Sequence, residues 1–145
     1  TGSRSPMQWD DGLNAGFSEA KADVLYIPID PDENRPTAKK QMEDSNSIYH
    51  EVKKLISVRQ SVKVLQSEAK IEFLYCEENA YPLAYRRYND EESVLIVVNP
   101  SGKAADFAYD GKLGEALYQN GGDIEQKDGK IMVPAATAVF VREVK

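Results

Sequence analysis

The chain has 145 residues, of which 41% are hydrophobic and 29% are charged, a composition typical of a globular protein with one hydrophobic core. Its net charge of −6 argues against nucleic acid as a partner, because affinity for phosphate backbones comes mainly from Lys and Arg. The longest apolar run, 94–98, is far shorter than the roughly 20 residues of a membrane span, so no membrane partner is expected either.

The region before residue 44 is predicted to be a loop, because four prolines and scattered glycines interrupt regular elements there. Such a long loop is unusual in a compact domain, where connections have about 4 to 6 residues. Its large apolar side chains follow neither helical nor strand spacing. They include Met7, Trp9, Leu13 and Phe17. A loop that carries a tryptophan usually docks, so Trp9 is expected to contact a surface either in this chain or in another part of the protein.

A helix is predicted from about Ser45 to Ser61. Apolar residues recur there at the spacing of one helical face. They are Ile48, Val52, Leu55 and Ile56, with Arg59 following on the same face. The polar residues at 44–47 offer oxygens for an N-cap, and Glu51 and Arg59 suit the two ends of the helix dipole.

The remainder of the chain changes to the pattern of short strands separated by turns. Five apolar or aromatic runs are predicted to be strands, at 71–76, 81–88, 93–99, 105–109 and 137–144. Their spacing predicts an antiparallel β-sandwich. The run Ser93–Asn99 is apolar on both faces, which indicates a central strand.

No catalytic residue, metal site or cofactor site is predicted from spacing. Glycoside hydrolysis needs two carboxyl groups about 5 to 9.5 Å apart, whereas the side chains of the adjacent Asp10 and Asp11 diverge in an extended chain. The stretch Asp30–Arg35 begins like a calcium loop but lacks its glycine, and Gln41 replaces its final glutamate. His50, the lone histidine, is expected to be packed or half-exposed.

Cys76 is the only cysteine, so no internal disulfide can form. It stands in an apolar strand pattern without a basic neighbour, which predicts a small core residue rather than a reactive thiol. The sequence also shows no secretory signal pattern, and together these features favour a cytoplasmic location.

Arg4 is the strongest candidate for binding a ligand. Its guanidinium stands directly before the proline and tryptophan of the loop and can form forked hydrogen bonds to carboxylates or sugar hydroxyls. Trp9 suits either an aromatic platform for a sugar or a buried anchor, and the residues alone do not decide between them.

The stretch "RSPMQWDDGLNAGFS", Arg4–Ser18, resembles a signature of the α-amylase superfamily of glycoside hydrolases (glycoside hydrolase family 13). The resemblance is to the oligo-1,6-glucosidase and α-glucosidase branch, whose motif reads R-[ST]-P-M-Q-W-[DS] and then N-A-G-F-[ST]. Later stretches follow the family order: Pro28–Asn34, Gln41, Asp44–Arg59 and Val97–Ser101. The resemblance covers nearly the whole chain.

This resemblance implies a fold that is mainly β with one long helix. Family members have a (β/α)8 barrel followed by a small antiparallel β-sandwich called domain C. Residues 1–65 would be the last loop and last helix of the barrel, and residues 66–145 would be domain C. Trp9 and Phe17 would then dock on barrel strands that this chain does not contain.

The resemblance also implies a function for a longer enzyme, called here the parent enzyme, and not for this chain alone. The family uses an Asp nucleophile, a Glu acid/base and a further Asp, all upstream of the motif, and none can be matched here. The chain is therefore expected to be an inactive part of a retaining α-glucosidase that acts on short α-glucosides. Arg4 resembles the family arginine that reaches the terminal glucose, while Asp10, Asp11 and Asn14 would lie near the rim of the site.

Three alternatives stay open at this point. The parent enzyme could be a transglycosylase, such as a trehalose or isomaltulose synthase. The β-sandwich could bind glycans on its tyrosines, although cross-strand packing accounts for them more simply. The tyrosines considered for glycan binding are Tyr75, Tyr81, Tyr85, Tyr88, Tyr109 and Tyr118. Finally, the sandwich could brace the barrel by burying the apolar face of the predicted helix.

Overall fold

The computed structural model describes residues 4–144 and divides into two compact units, Thr1–Lys54 and Leu55–Lys145. Among its described residues, the first unit contains the short 3₁₀ helices Leu13–Gly16 and Ala22–Val24 and the short helix α1, Ala38–Glu43. Helix α2, Ile48–Ser61, runs across the division, and a further 3₁₀ turn, Lys63–Leu65, follows it. No helix among the described residues is both long and apolar enough to cross a bilayer.

Helix α1 is a correction to the predicted loop. Its N-cap is Thr37, whose buried hydroxyl accepts a hydrogen bond from the backbone N–H of Lys40 at 3.2 Å. This is the standard way to satisfy a free donor at a helix start. The signal in the sequence was Thr37 followed by a run of good helix formers, and the nearby Pro36 obscured it.

Helix α2 ends at Ser61 as predicted but begins at Ile48, three residues later than expected. The side chain of Asp44 accepts from the N–H of Asn46 at 2.9 Å, and its carbonyl accepts from the N–H of Ser47 at 3.0 Å. These bonds close a turn that the helix cannot include. Ser47 then acts as the cap, because its hydroxyl accepts from the N–H of His50 at 3.4 Å.

Two antiparallel sheets form the second unit, which confirms the predicted mainly-β sandwich. The five-stranded sheet has the order β1-β2-β3-β8-β5, and the three-stranded sheet has the order β4-β7-β6. The strands are β1 Lys70–Tyr75, β2 Leu83–Tyr88, β3 Ser93–Asn99, β4 Ala105–Ala108, β5 Lys112–Asn120, β6 Glu125–Lys127, β7 Lys130–Val133 and β8 Thr137–Val144.

The sequence reading found five of these strands and missed β5, β6 and β7. Register shifts between Leu113 and Tyr118 break the apolar alternation of β5. Strands β6 and β7 form a hairpin around Asp128 and Gly129, which have φ angles of 50° and 75°. An Asp-Gly pair is the usual signal for such a turn, and it was overlooked.

The core of the sandwich lies between the two sheets. Leu95 and Val97 from β3 pack there with Ile131 and Val133 from β7, and all four are fully buried. The other face of β3 contributes Val94 and Ile96 to a second cluster with residues 62–65. Because β3 is the middle strand of five and is buried on both faces, the predicted central strand is confirmed.

Cys76 is exposed, and the prediction that it belongs to the core is wrong. Strand β1 ends at Tyr75, after a register shift between Phe73 and Tyr75 at this edge of the sheet. The apolar alternation that predicted burial therefore stops one residue before the cysteine.

A carboxylate, Glu143 of β8, connects the five-stranded sheet to Tyr109, the residue that follows β4. Its side chain is only 10% exposed and accepts hydrogen bonds from Arg86 at 2.9 Å, from the Tyr109 hydroxyl at 2.7 Å, and from the Ser93 hydroxyl. A buried carboxylate with three donors is satisfied rather than destabilising. Burial and the hydrogen bond to Glu143 raise the pKa of Tyr109 well above its usual range.

We predict that Tyr109 makes stability fall at alkaline pH. The folded protein keeps the Tyr109 proton where the unfolded chain releases it, so the free energy of unfolding should decrease as pH rises above about 10. Tyr109→Phe should make that decrease shallower in urea unfolding. The control Tyr26→Phe, at a residue that is 82% exposed, should follow the wild type. Equal slopes for all three proteins would contradict the prediction.

Candidate functional site

The segment 4–18 folds as a tight loop, as predicted. The backbone N–H groups of Trp9 and Asp10 both donate to the carbonyl of Ala15, at 2.8 and 3.2 Å. To bring that carbonyl back, three consecutive residues adopt left-handed backbone angles: Asn14, Ala15 and Gly16 have φ of 49°, 55° and 70°. Such angles cost a non-glycine residue about 1–2 kcal/mol, so other contacts must hold the loop.

Two side chains supply those contacts. The amide nitrogen of Asn14 donates to the carbonyls of Ser18 and Ala20, each at 2.7 Å. The carboxylate of Asp10 accepts from the N–H of Gly12 at 2.8 Å. A Cβ atom at Gly12 or Gly16 would lie 2.9 Å from an oxygen of that carboxylate, so a larger residue at either position would displace the Asp10 side chain. Asp10 and Asn14 are therefore committed to the shape of the loop.

The N-terminus of α1 fixes the same loop from its other side. The N–H groups of Ala38 and Lys39 have no partner within the helix, and they donate instead to the carbonyls of Gln8 and Trp9, at 2.8 and 2.9 Å. Lys40 forms an ion pair with Asp11 at 2.8 Å, and this hydrogen bond and charge lower the pKa of the Asp11 carboxyl. Sequence reasoning missed these contacts because the partners lie far apart in the chain, 29 residues for Lys40 and Asp11.

The structure thus brings Asp10, Asp11 and Asn14 into one loop, but not as a catalytic pair. Asp10 is half-buried against glycines, whereas Asp11 is exposed and turned to Lys40. Arg4 is exposed ahead of this loop, at the start of the described residues. Its assignment as a substrate-binding residue stays a prediction.

The calcium-like stretch uses its carboxylates for its own turns. Asp30 accepts from the N–H of Asp32 at 3.0 Å, and Asp32 accepts from the N–H of Asn34 at 2.8 Å. Within residues 4–144, no group of three His, Cys, Asp or Glu side chains is placed to hold a metal ion. His50 is half-buried, with Nε2 at 3.0 Å from the carbonyl of Met42 and its ring edge-on to Tyr49.

Large apolar side chains of the first unit lie on its surface. Trp9 is 50% exposed, Phe17 49% and Leu13 67%. Of the hydrophobic residues described in this unit, Ala15 is the only one that is buried. Soluble monomers rarely expose this much apolar surface unless a partner covers it.

The apolar stripe of α2 is exposed as well. Ile48 is 77% exposed, Val52 47% and Ile56 51%, and only Leu55 is half-buried. The expectation that the sandwich buries this stripe stays a prediction. Among residues 4–144, these three side chains of α2 are thus exposed in the same way as the large apolar side chains of the loop.

The tyrosines of the sandwich serve mainly in packing. Tyr109 and Tyr118 are buried, and Tyr118 pairs with Phe140 across neighbouring strands at 5.4 Å between ring centroids. Tyr75 and Tyr85 are half-buried and contact Phe107 and Phe73 respectively. Of the six tyrosines considered for glycan binding, only Tyr81 is exposed, so they form no extended aromatic platform.

Comparison with known proteins decides the family. The family model described as "Alpha amylase, catalytic domain" matches residues 1–68. The oligo-1,6-glucosidase of Parageobacillus thermoglucosidasius is 35% identical over 72% of this chain, and the probable oligo-1,6-glucosidase 3 of Bacillus subtilis is 38% identical over 75% of it. The chain belongs to the α-amylase superfamily of glycoside hydrolases. It spans about a fifth of the length of these relatives, 18% and 19%.

Solved structures of the α-amylase superfamily share the fold. The trehalulose synthase MutB from Pseudomonas mesoacidophila matches 98% of this chain with a TM-score of 0.82 and 25% identity, over 25% of its own length. A mutant of MutB in complex with its substrate sucrose matches with a TM-score of 0.81. The chain thus has the fold found in part of a larger superfamily enzyme. The domain boundary after residue 65 stays a prediction.

We predict that Gly16→Ala opens the loop. The added Cβ would meet both oxygens of Asp10 at 2.9 Å, and alanine disfavours a φ of 70°. Amide exchange at Trp9 and Asp10, followed by NMR, should become roughly tenfold faster or more, which corresponds to a local loss of about 1.4 kcal/mol. Gly102→Ala is the control, because no atom lies within 4 Å of its Cβ. Unchanged exchange in Gly16→Ala would refute the strain argument.

Proposed function

We propose that this chain is the carboxyl-terminal part of a retaining α-glucosidase-type hydrolase that acts on short α-glucosides in carbohydrate metabolism. The names of its relatives support this substrate class: oligo-1,6-glucosidases, and a glucan 1,6-alpha-glucosidase of Streptococcus pneumoniae that is 27% identical over 90% of the chain. That last relative is covered over 23% of its own length. The chain itself would be inactive and would have a structural role beside the catalytic barrel.

One observation carries the proposal: the loop matches a catalytic domain, but both aspartates of its motif already have hydrogen-bond or ion-pair partners. Asp10 is occupied by the loop backbone and Asp11 by Lys40. A retaining mechanism needs a nucleophile and an acid/base about 5 to 5.5 Å apart. The two carboxylates within the motif are therefore unsuited to that role, and the chemistry would come from residues outside this chain.

Arg4 is the residue of this chain proposed to contact substrate. It is exposed, it precedes a loop whose backbone is fixed on both sides, and a guanidinium offers forked donors to hydroxyl groups. Asp10, Asp11 and Asn14 would lie near the rim of the same site. The cytoplasmic location also stays a prediction.

A transglycosylase is the second candidate, and the structural match favours it. MutB, a trehalulose synthase, has a TM-score of 0.82 over 98% of this chain. In such an enzyme, the choice between water and a sugar as acceptor would depend on loops outside these residues. Product analysis with sucrose separates the two: free glucose and fructose indicate hydrolysis, and an isomer of sucrose indicates transfer.

We predict that the parent enzyme hydrolyses a chromogenic α-glucoside and that the 145-residue chain does not. Arg4→Lys in the parent enzyme should lower kcat/KM by about 100-fold, because a point charge replaces a fork of oriented donors. The matched control Arg35→Lys lies in a turn, where it donates to the carbonyl of Asp32, and should have little effect. Turnover by the isolated chain would overturn the proposal.

A further inference from the structure

The five-stranded sheet has a second apolar face, opposite the sandwich core. One residue from each strand contributes to a row across this face, in the order Phe73, Tyr85, Ile96, Phe140 and Tyr118. Residues 62–65 cover the middle of the row. At the Phe73 end the covering stops, since Phe73 is 59% exposed.

A cleft of about 390 Å³ opens beside this row, within the second unit. Leu55 and Ile56, from the second half of α2, form one wall, and Tyr85 and Phe140 form part of the other. The walls are mostly apolar. Two guanidinium groups, those of Arg59 and Arg87, also line the cleft.

The two arginines are held in place but lack countercharges. Arg59 donates from Nε to the carbonyl of Leu65 at 3.3 Å, and Arg87 donates to the carbonyl of Ala69 at 3.1 Å. Neither forms an ion pair with any of residues 4–144. The Nε of Arg87 is buried and makes no hydrogen bond.

Other arginines of the same sheet are neutralised. Arg86 pairs with Glu143, and Arg142 pairs with Glu92. A chain with a net charge of −6 therefore leaves two positive charges uncompensated at one apolar cleft. A surface that buries this cleft must bring carboxylates, because a desolvated guanidinium without a partner is strongly unfavourable.

The position of the cleft identifies the partner. The catalytic-domain match ends at residue 68, so it includes Leu55, Ile56 and Arg59 but not the sheet residues across the cleft. Earlier on the same helix, Ile48 and Val52 are exposed as well. A chain that covers 18% or 19% of its relatives lacks most of the domain to which this stripe belongs.

We propose that an apolar segment of the catalytic domain outside this chain docks in this cleft, with Asp or Glu side chains paired to Arg59 and Arg87. The inference rests on the proposed function, because it requires a parent enzyme. The proposed ion pairs would add specific electrostatic contacts to an otherwise apolar interface. Such pairs fix register and orientation more than they add affinity.

Arginine footprinting tests the docking. Phenylglyoxal should modify Arg59 and Arg87 about tenfold more slowly in the parent enzyme than in the isolated chain, because paired and desolvated guanidinium groups are protected. Acetylation of Lys127, exposed on β6 in the small sheet, should proceed at the same rate in both proteins. Equal rates for the two arginines would overturn the inference.

A pH measurement tests the carboxylate partners. Arg87→Met in the parent enzyme should lower the midpoint of thermal unfolding at pH 7, and the deficit should shrink near pH 4, where the freed carboxylate takes up a proton. Lys127→Met removes the same charge outside the cleft and should show no such deficit. A deficit that does not change with pH would exclude a carboxylate partner.

These results separate the inference from the proposed function. Hydrolysis of α-glucosides with freely reactive Arg59 and Arg87 would refute the docking and leave the function standing. Protected arginines in a parent protein that does not act on α-glucosides would support the docking and refute the function.

Discussion

Burial of apolar side chains is distributed very unevenly along this chain, and the rest of the structure follows from that distribution. The two sheets bury Leu95, Val97 and Ile131 against one another, and each such side chain contributes about 1.5–3 kcal/mol. In the first unit, Ala15 is the one described hydrophobic residue that is buried. Backbone hydrogen bonds and caps hold that unit, at a net gain of only about 0.5–1.5 kcal/mol each.

This division separates residues that shape the loop from residues that meet a partner. Asp10, Asn14 and Gly16 stabilise or form the left-handed turn of the loop, whereas Trp9 and Phe17 remain exposed. Under the proposed function, such a loop would lie at the rim of the catalytic site of the parent enzyme. Its hydrogen-bonded backbone would then orient Arg4 toward substrate.

The amino-acid sequence predicted those elements whose signal is local and periodic. The five strongest strands and the end of α2 were found because β-branched runs and helical spacing lie within a few residues of each other. Strand β5 was missed because bulges disturb its alternation, and α1 because proline precedes its cap. The ion pair of Lys40 with Asp11 and the hydrogen bonds to Glu143 join residues that are distant in sequence. No local sequence pattern therefore predicts them.

Acrylamide quenching of Trp9 fluorescence tests the central claim most directly, because Trp9 is the single tryptophan. In the isolated 145-residue chain, with the sandwich folded by circular dichroism, quenching should be about half as efficient as for free tryptophan amide, in line with its 50% exposure. The emission maximum should also be that of a solvent-exposed indole. A blue emission with almost no quenching would mean that this chain buries Trp9 by itself, and the account of a missing surface would be wrong.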